Sequence, residues 1–360
     1  MTDVVRRLGG GRTRARVAVL KGASETENVG DVMMRTVARD LLASLGFDTV
    51  HTISHWDSPA ELAKSAGPVD ALFVLGSLQF SDAWVSPTLT ERLDRATTFH
   101  AYFPGARVVF LPATWGAFEP SHAAPLARLV SGAHLLVRDE FSADAINSTL
   151  GAEAAVYCPD FAFLYPTASP AAAKSMLDGL MTDPGRPLLG IIPNQRCVEA
   201  GVSPLANPRE YVAYLARARD CALAKGFNVV GISHMRGTDR DLRLIRELEI
   251  PCFPADDVEM IRSAIANLTV AICSRYHGVV SCLSHGTPVL ALGWHHKYRN
   301  LMNDMKVGAY HVSVAQLPAD PAPLLDDLFR HHHHLRRAIT RTVDAARQTV
   351  RSRIEALPRL

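Results

Sequence analysis

The stretch "TVAICSRYHGVVSCLSHGTPVLALGWHHK", residues 269–297, decides the fold. Thr269 to Cys273 is a short apolar run of a length that suits a buried strand. A helical pattern follows Arg275 and His277. "HGTP" makes a turn, and "PVLALG" (288–293) supplies a second apolar strand. Strand, helix and strand in succession form the unit from which parallel sheets are wound. This order sets Arg275, His277 and Lys297 beyond the carboxyl ends of two buried strands, where open α/β sheets hold their ligands.

Working outward, the same alternation fills the chain. "RVAVL" (16–20), "ALFVLG" (71–76), "RVVFLP" (107–112), "HLLVRD" (134–139) and "AAVYCPD" (154–160) read as buried strands. Between the first two, Met33, Met34, Val37, Leu41, Leu42 and Leu45 share a helical face that Gly46 ends. A Pro-, Ala- and Gly-rich break at 165–187 reads as an interdomain connection. Beyond it "LLGIIPN" (188–194), "NVVGIS" (228–233) and "CF" (252–253) read as strands, with helices near 208–225, 238–248 and 257–267. The expectation is two doubly wound parallel-sheet domains in tandem, 1–168 and 186–330, facing a cleft. Leu335, Ile339, Val343, Ala346, Val350, Ile354 and Leu357 space an amphipathic helix over 335–357, expected by analogy to cross back to the first domain.

Composition narrows the function classes. With 360 residues, 48% of them hydrophobic, the chain has ample core for two domains and is not a disordered one. A formal charge of +2 gives no case for nucleic-acid binding. Basic residues do cluster at the ends: Arg6, Arg7, Arg12, Arg14 and Arg16, then Arg336, Arg337, Arg341, Arg347, Arg351 and Arg353. Solvated surface charge is the simpler account; contact with an anionic membrane or polymer is the alternative. The six cysteines have neither disulfide nor metal spacing, and no run is long enough for a signal core or a membrane span. The expectation is a reduced, cytoplasmic protein, at most peripheral at the inner face of the membrane, with no metal site. A homo-oligomer is left open. "HHHH" (331–334) lies inside the chain and is given no role.

Candidate site residues come from three places. In "GASETENVGD", Asn28, Gly30 and Asp31 follow the first strand; Asp31 as a helix N-cap and the glycine as a turn residue is the structural account, a ligand loop the functional one. Arg138 leaves the strand at 134–139 with a fork that matches a carboxylate or phosphate. At the opening stretch, a helix N-terminus favours an anion, Gly278 leaves room for close approach, and Arg275, His277 and Lys297 converge. A small, multiply charged anion fits that convergence.

These segments together resemble the polysaccharide pyruvyl transferase family. "NVGD" resembles its Asn-x-Gly-Asp before a helix, and "FVLGS" its strand ending in a glycine-rich turn. "VVFLPATWGAF" resembles its strand and loop ending in Gly-Pro, "VRDEFS" its Val-Arg-Asp/Glu-x-x-Ser, and "CPDFAF" its Pro-Asp-x-Ala-Phe. "SRYHGVVSCLSHGTPVLALGWHHK" resembles its Ser-Arg-x-His followed by Gly-x-Pro and a lysine. The resemblance implies a fold like two-domain glycosyltransferases of the B type. It implies transfer of a pyruvyl group from phosphoenolpyruvate, as co-substrate and with no cofactor, to two hydroxyls of a sugar or glycan, lipid-linked or free. Arg138 and Arg275 match the arginines implied to grip the donor, His277 the implied general acid, and Lys297 the lysine after the last strand. Asp31 is the expected base toward the acceptor. Departures fall at Gly76-Ser77, at Gly116-Ala117 and around Trp294, His295 and His296, all expected to face the acceptor. A nucleotide-sugar glycosyltransferase shares this architecture but lacks support from a glutamate after "HGTPVLAL"; a non-catalytic glycan- or phosphate-binding protein is the third reading.

Overall fold

The computed structural model describes residues 14–22, 26–55, 57–76, 80–81, 87–199 and 202–357. The first half runs β1 (Val17–Lys21), α1 (Val29–Ser44), β2 (Thr49–Ile53), α2 (Ala60–Ser65), β3 (Ala71–Val74), β4 (Phe80–Ser81) and α3 (Leu89–Ala101). It continues β5 (Arg107–Ala113), β6 (Trp115–Gly116), α4 (Ala123–Val130), β7 (His134–Val137), α5 (Glu140–Leu150) and β8 (Ala155–Tyr157). The second half runs α6 (Pro170–Leu180), β9 (Leu188–Ile192), α7 (Arg209–Ala224), β10 (Asn228–Gly231), α8 (Arg240–Glu247) and α9 (Val258–Ala266). Then come β11 (Val270–Cys273), α10 (Tyr276–Ser284), β12 (Val289–Gly293), α11 (His296–Asp304), β13 (His311–Ser313) and α12 (Ala322–Glu355).

Six strands form one sheet in the order β2-β1-β3-β5-β7-β8, and five form the other in the order β10-β9-β11-β12-β13. Every pairing within both sheets is parallel. β4 and β6 pair separately as a short parallel ribbon. The strands are short and apolar because both faces are covered: β3, β11 and β12 are buried at every residue. In each sheet the order reverses beside its first strand, between β1 and β3 and between β9 and β11. The loops that leave these strands open the crevice in which such folds bind ligands.

Three features differ from expectation. The 165–187 segment carries α6, which starts at Pro170, continues in alanines and packs on α9. Proline at the first helical position and alanine after it favour a helix where composition alone suggested a linker. "CF" (252–253) is reduced to a single bridge, Gly231 to Cys252. The C-terminal helix starts at Ala322 rather than 335, so the histidine run lies on its surface, where His331 pairs with Asp327 at 2.9 Å.

Arg336, Arg347 and Arg353 of α12 are not merely solvated, and the last two tie the halves together. The Arg347 guanidinium donates to the carbonyls of Phe163 at 3.0 Å and Ser284 at 3.1 Å. Arg353 donates to Tyr157 O at 3.2 Å, and Arg336 to Leu268 O at 2.7 Å. Arg6, Arg7 and Arg12 lie outside the described residues. Among the described residues, no helix is long and apolar enough to cross a membrane and no group of three His, Cys, Asp or Glu is placed to hold a metal ion.

Candidate active site at the domain junction

The loop after β1 is stitched to the loop after β10. The Val29 N–H donates to His234 O at 3.3 Å, the Arg236 N–H to Glu27 O at 2.7 Å, and Asn28 bridges antiparallel to Met235. Asn28, not Asp31, caps α1: its Oδ1 accepts from the Gly30 N–H at 3.0 Å. Asp31 instead sits in the first turn, 3.4 Å from the Thr26 hydroxyl, where a carboxylate suits the positive helix end.

Gly30 has a definite reason to be glycine. A Cβ there would fall 2.1 Å from Nδ1 of His277 and 2.3 Å from its Cγ, so the imidazole of the second domain lies directly on the first turn of α1. His277 occupies the first turn of α10, which starts at Tyr276 with Arg275 as its N-cap residue. Its Nε2 stands 3.6 Å from Oδ2 of Asp160, an ion-pair distance when the ring is protonated and too long for a hydrogen bond. Burial opposes charge on Asp160, but His277, the Arg138 guanidinium and the Ala162 N–H outweigh it and hold the carboxyl down at about 2.

The two arginines are braced rather than free. Arg138 donates from Nε to Thr114 at 2.8 Å and from Nη1 to Asp160 at 3.0 Å, and lies 4.1 Å over the Tyr276 ring. Arg275 grips the fully buried Asp241 with both Nε, at 2.9 Å, and Nη2, at 2.5 Å. Each keeps one terminal nitrogen, Nη2 of Arg138 and Nη1 of Arg275, without a hydrogen bond to any described residue.

Lys297 makes neither an ion pair nor a side-chain hydrogen bond among the described residues. Its Nζ lies 4.9 Å from the Trp294 ring, 5.2 Å from Tyr276 and 5.5 Å from Tyr298. Burial, then the charges of Arg138, Arg196 and Arg275, push its ammonium well below the ordinary lysine value, and Asp31 opposes them. The same interactions place Arg138, Arg196, Arg275, Lys297 and Asp31 within one electrostatic neighbourhood. Trp294 belongs to this cluster instead of turning away from it. His295 caps α11 and the His296 ring packs, tilted, against Phe141 of the first domain at 4.9 Å.

Other glycines are accounted for by packing. A Cβ on Gly76 would meet Pro112 O at 2.3 Å, and one on Gly278 would meet Cys273 Sγ at 2.6 Å. At Gly278 the close approach that the structure shows is helix to strand. Ser77 lies outside the described residues.

Four residues escaped the sequence reading. Asp160 and Asp241 pair with the arginines; Arg196 follows β9 and faces Trp294 at 5.7 Å. Asn194, in the same loop, donates to Ser274 O at 2.9 Å and fixes the turn before Arg275. "CPDFAF" and "IIPNQR" carried a signal, since both follow strands at the cleft side. Asp241 carried none, lying inside α8.

The fold is shared with solved structures of low identity. A putative UDP-N-acetylglucosamine 2-epimerase from Listeria monocytogenes aligns with a TM-score of 0.58 at 11% identity, covering 95% of this chain and 96% of that one. UDP-GlcNAc 2-epimerase from Neisseria meningitidis aligns at 0.52 and 8% identity, over 94% and 100%. The Candida albicans trehalose-6-phosphate phosphatase N-terminal domain aligns at 0.57 and 9% identity, over 95% and 98%. They establish a glycosyltransferase-B-like architecture and nothing finer. No curated protein matches the chain. The family model for polysaccharide pyruvyl transferases matches residues 28–296, from the cap of α1 to the first residue of α11, and the chain belongs to that family.

Proposed function

We propose that the protein transfers a pyruvyl group from phosphoenolpyruvate to two hydroxyls of a sugar in a glycan or glycan precursor, forming a cyclic ketal and releasing phosphate. The observation that carries this reading is the meeting of one acid-capable imidazole, His277, with Lys297, which makes no ion pair among the described residues, and two arginines that each keep a terminal nitrogen without a hydrogen bond to any described residue. An anion with both a carboxylate and a phosphate suits that arrangement.

His277 gives its proton to the methylene carbon of the enol phosphate, making a methyl group. The adjacent carbon gains oxocarbenium character and accepts the first sugar hydroxyl. Its bond to the phosphate oxygen breaks, and the second hydroxyl closes the ketal. Of the two hydroxyl protons released, one restores His277 and the other leaves with phosphate. Asp31, on the facing helix end, takes the second of these protons first and passes it to the leaving phosphate. Asp160 stands 3.6 Å from the imidazole and keeps Arg138 in place. Lys297 and the free guanidinium nitrogens stabilise the departing phosphate in a site already organised for it.

The test is a thermal-shift titration with phosphoenolpyruvate beside UDP-, GDP- and TDP-sugars, followed by mass spectrometry of an acceptor panel. Stabilisation by phosphoenolpyruvate, and a product heavier by one ketal-linked pyruvyl group, support the reading. Stabilisation by a nucleotide sugar alone overturns it in favour of glycosyl transfer.

A further inference from the structure

A second group of basic side chains lies on the other face of the first sheet, away from α1. Alternation along β1 sends Ala18 and Leu20 toward α1 and Val19 and Lys21 toward α3. Lys21, the last residue of β1, is 2% exposed, and its Nζ lies 3.9 Å from the centre of the Phe99 ring. Among the described residues it has no carboxylate partner and no hydrogen-bond acceptor.

Two imidazoles adjoin it. His55 follows β2, and its Nε2 fills the space above Gly22, where a Cβ would be 2.3 Å away. His100 ends α3 with its ring 5.6 Å from Phe110. Nδ1 of His55 and Nε2 of His100 are buried without a hydrogen-bond partner. Burial lowers Lys21 to about 8, so it remains charged at neutral pH. Burial first, then the Lys21 charge, lowers His55 to about 3 and His100 to about 4. A neutral imidazole can still donate one N–H.

Among the described residues the cluster thus holds one uncompensated cation and two further N–H donors, with no acceptor opposite them. Buried charges in proteins are normally paired, and an aromatic face alone is a weak substitute for a counter-ion. Water can satisfy the imidazoles but cannot neutralise the ammonium.

We infer that Lys21, His55 and His100 form a second anion-binding site, which takes a carboxylate or phosphate group carried by the sugar acceptor. The site lies at the carboxyl end of β1, the strand whose loop leads to Asn28 and to Asp31 in the first turn of α1. The acceptor part of this inference rests on the pyruvyl-transfer reading; the anion site itself does not.

The experiment is calorimetric titration of the full chain, with phosphoenolpyruvate saturating the donor site, using methyl glucuronide, glucose 1-phosphate and the neutral methyl glucoside. The expected result is binding of one or both anionic probes at least tenfold tighter than the neutral one, with that advantage lost in Lys21→Met and reduced in His100→Phe. The probe that binds best identifies carboxylate or phosphate as the group recognised. Anionic probes that bind Lys21→Met as well as the unaltered protein, or no better than the neutral glycoside, overturn the inference. Repeating the titration without phosphoenolpyruvate separates the two claims. If that compound does not bind at all but the Lys21-dependent advantage persists, the anion site stands and the donor assignment fails.

Discussion

Gly30→Ala is the most direct probe of His277. Gly30 lies within α1 at ordinary helical dihedrals, and alanine there should favour the helix by roughly 0.5–1 kcal/mol. The added methyl, however, lands 2.1–2.4 Å from three atoms of the His277 side chain. Carbon and nitrogen rest about 3.5 Å apart or more, so the ring must retreat by about 1.5 Å. Asp160 stands 3.6 Å from Nε2, and the Tyr276 ring 5.1 Å from the imidazole centre, so little room lies behind it. A displacement of about 1 Å in a reacting group can cost on the order of 100-fold in rate. The expected result is a fall of that order in kcat for phosphate release from phosphoenolpyruvate with a productive acceptor. Overpacking should cost about 1–3 kcal/mol, partly offset by the helix gain. Gly190→Ala is the control. Its methyl would meet Leu268 at 2.3 Å in the core of the second domain, so it should lower stability and leave kcat per folded molecule nearly intact. Unaltered turnover in Gly30→Ala would refute the placement of His277 at the reacting carbon.

Other consequences follow from the buried charges. Asp160→Asn leaves Arg138 without its counter-ion and should cost about 3–5 kcal/mol in urea unfolding; a loss below about 1 kcal/mol contradicts the pairing. The native carboxyl of Asp160 is held below its unfolded value, so its contribution, about 2 kcal/mol, is present above the usual carboxylate range and disappears as pH falls through about 2. Acid titration of the unaltered protein against Asp160→Asn reads this difference. Lys297→Met removes a buried cation set among arginines; melting temperature should hold or rise, while the thermal shift with phosphoenolpyruvate falls at least tenfold in apparent affinity. An equal shift in both proteins argues that Lys297 does not touch the donor. For Lys21, the native value lies below the unfolded one, so the unfolded chain binds the extra proton between them. Stability should rise by up to about 3 kcal/mol from pH 8 to 10.5 relative to Lys21→Met, which lacks the step.

Much of the fold was legible because parallel strands buried on both faces leave short apolar runs whatever their partners are. "TVAIC" and "PVLALG" lie at β11 and β12. The linker reading failed at α6 because proline and alanine mark both loops and helix starts, and only packing on α9 decides between them. β13 and α11 gave too little periodicity to be seen. For the site, strand ends told which charged residues reach the junction, since topology puts every strand's carboxyl end on one side. They could not tell which charges cancel. Arg275 meets Asp241 from 34 positions away, and Arg138 meets Asp160 from 22.

That cancellation changes the chemistry assigned to the cluster. Counted from sequence, Arg138, Arg275 and Lys297 are three equivalent clamps on one anion. In the folded chain the two guanidiniums are each matched by a buried aspartate, so an anion bound there would meet a fixed N–H at a fixed place. Lys297 is different. Its amine is buried among aromatic rings and other cations and makes no ion pair among the described residues. On the proposed reading, the strongest electrostatic change on donor binding therefore falls at Lys297, while precision of placement falls to the arginines. A site built only of free cations would repel itself when empty and close around any anion. Bracing two of the three with aspartates reduces that repulsion and leaves a geometry that favours an anion able to reach the remaining nitrogens together.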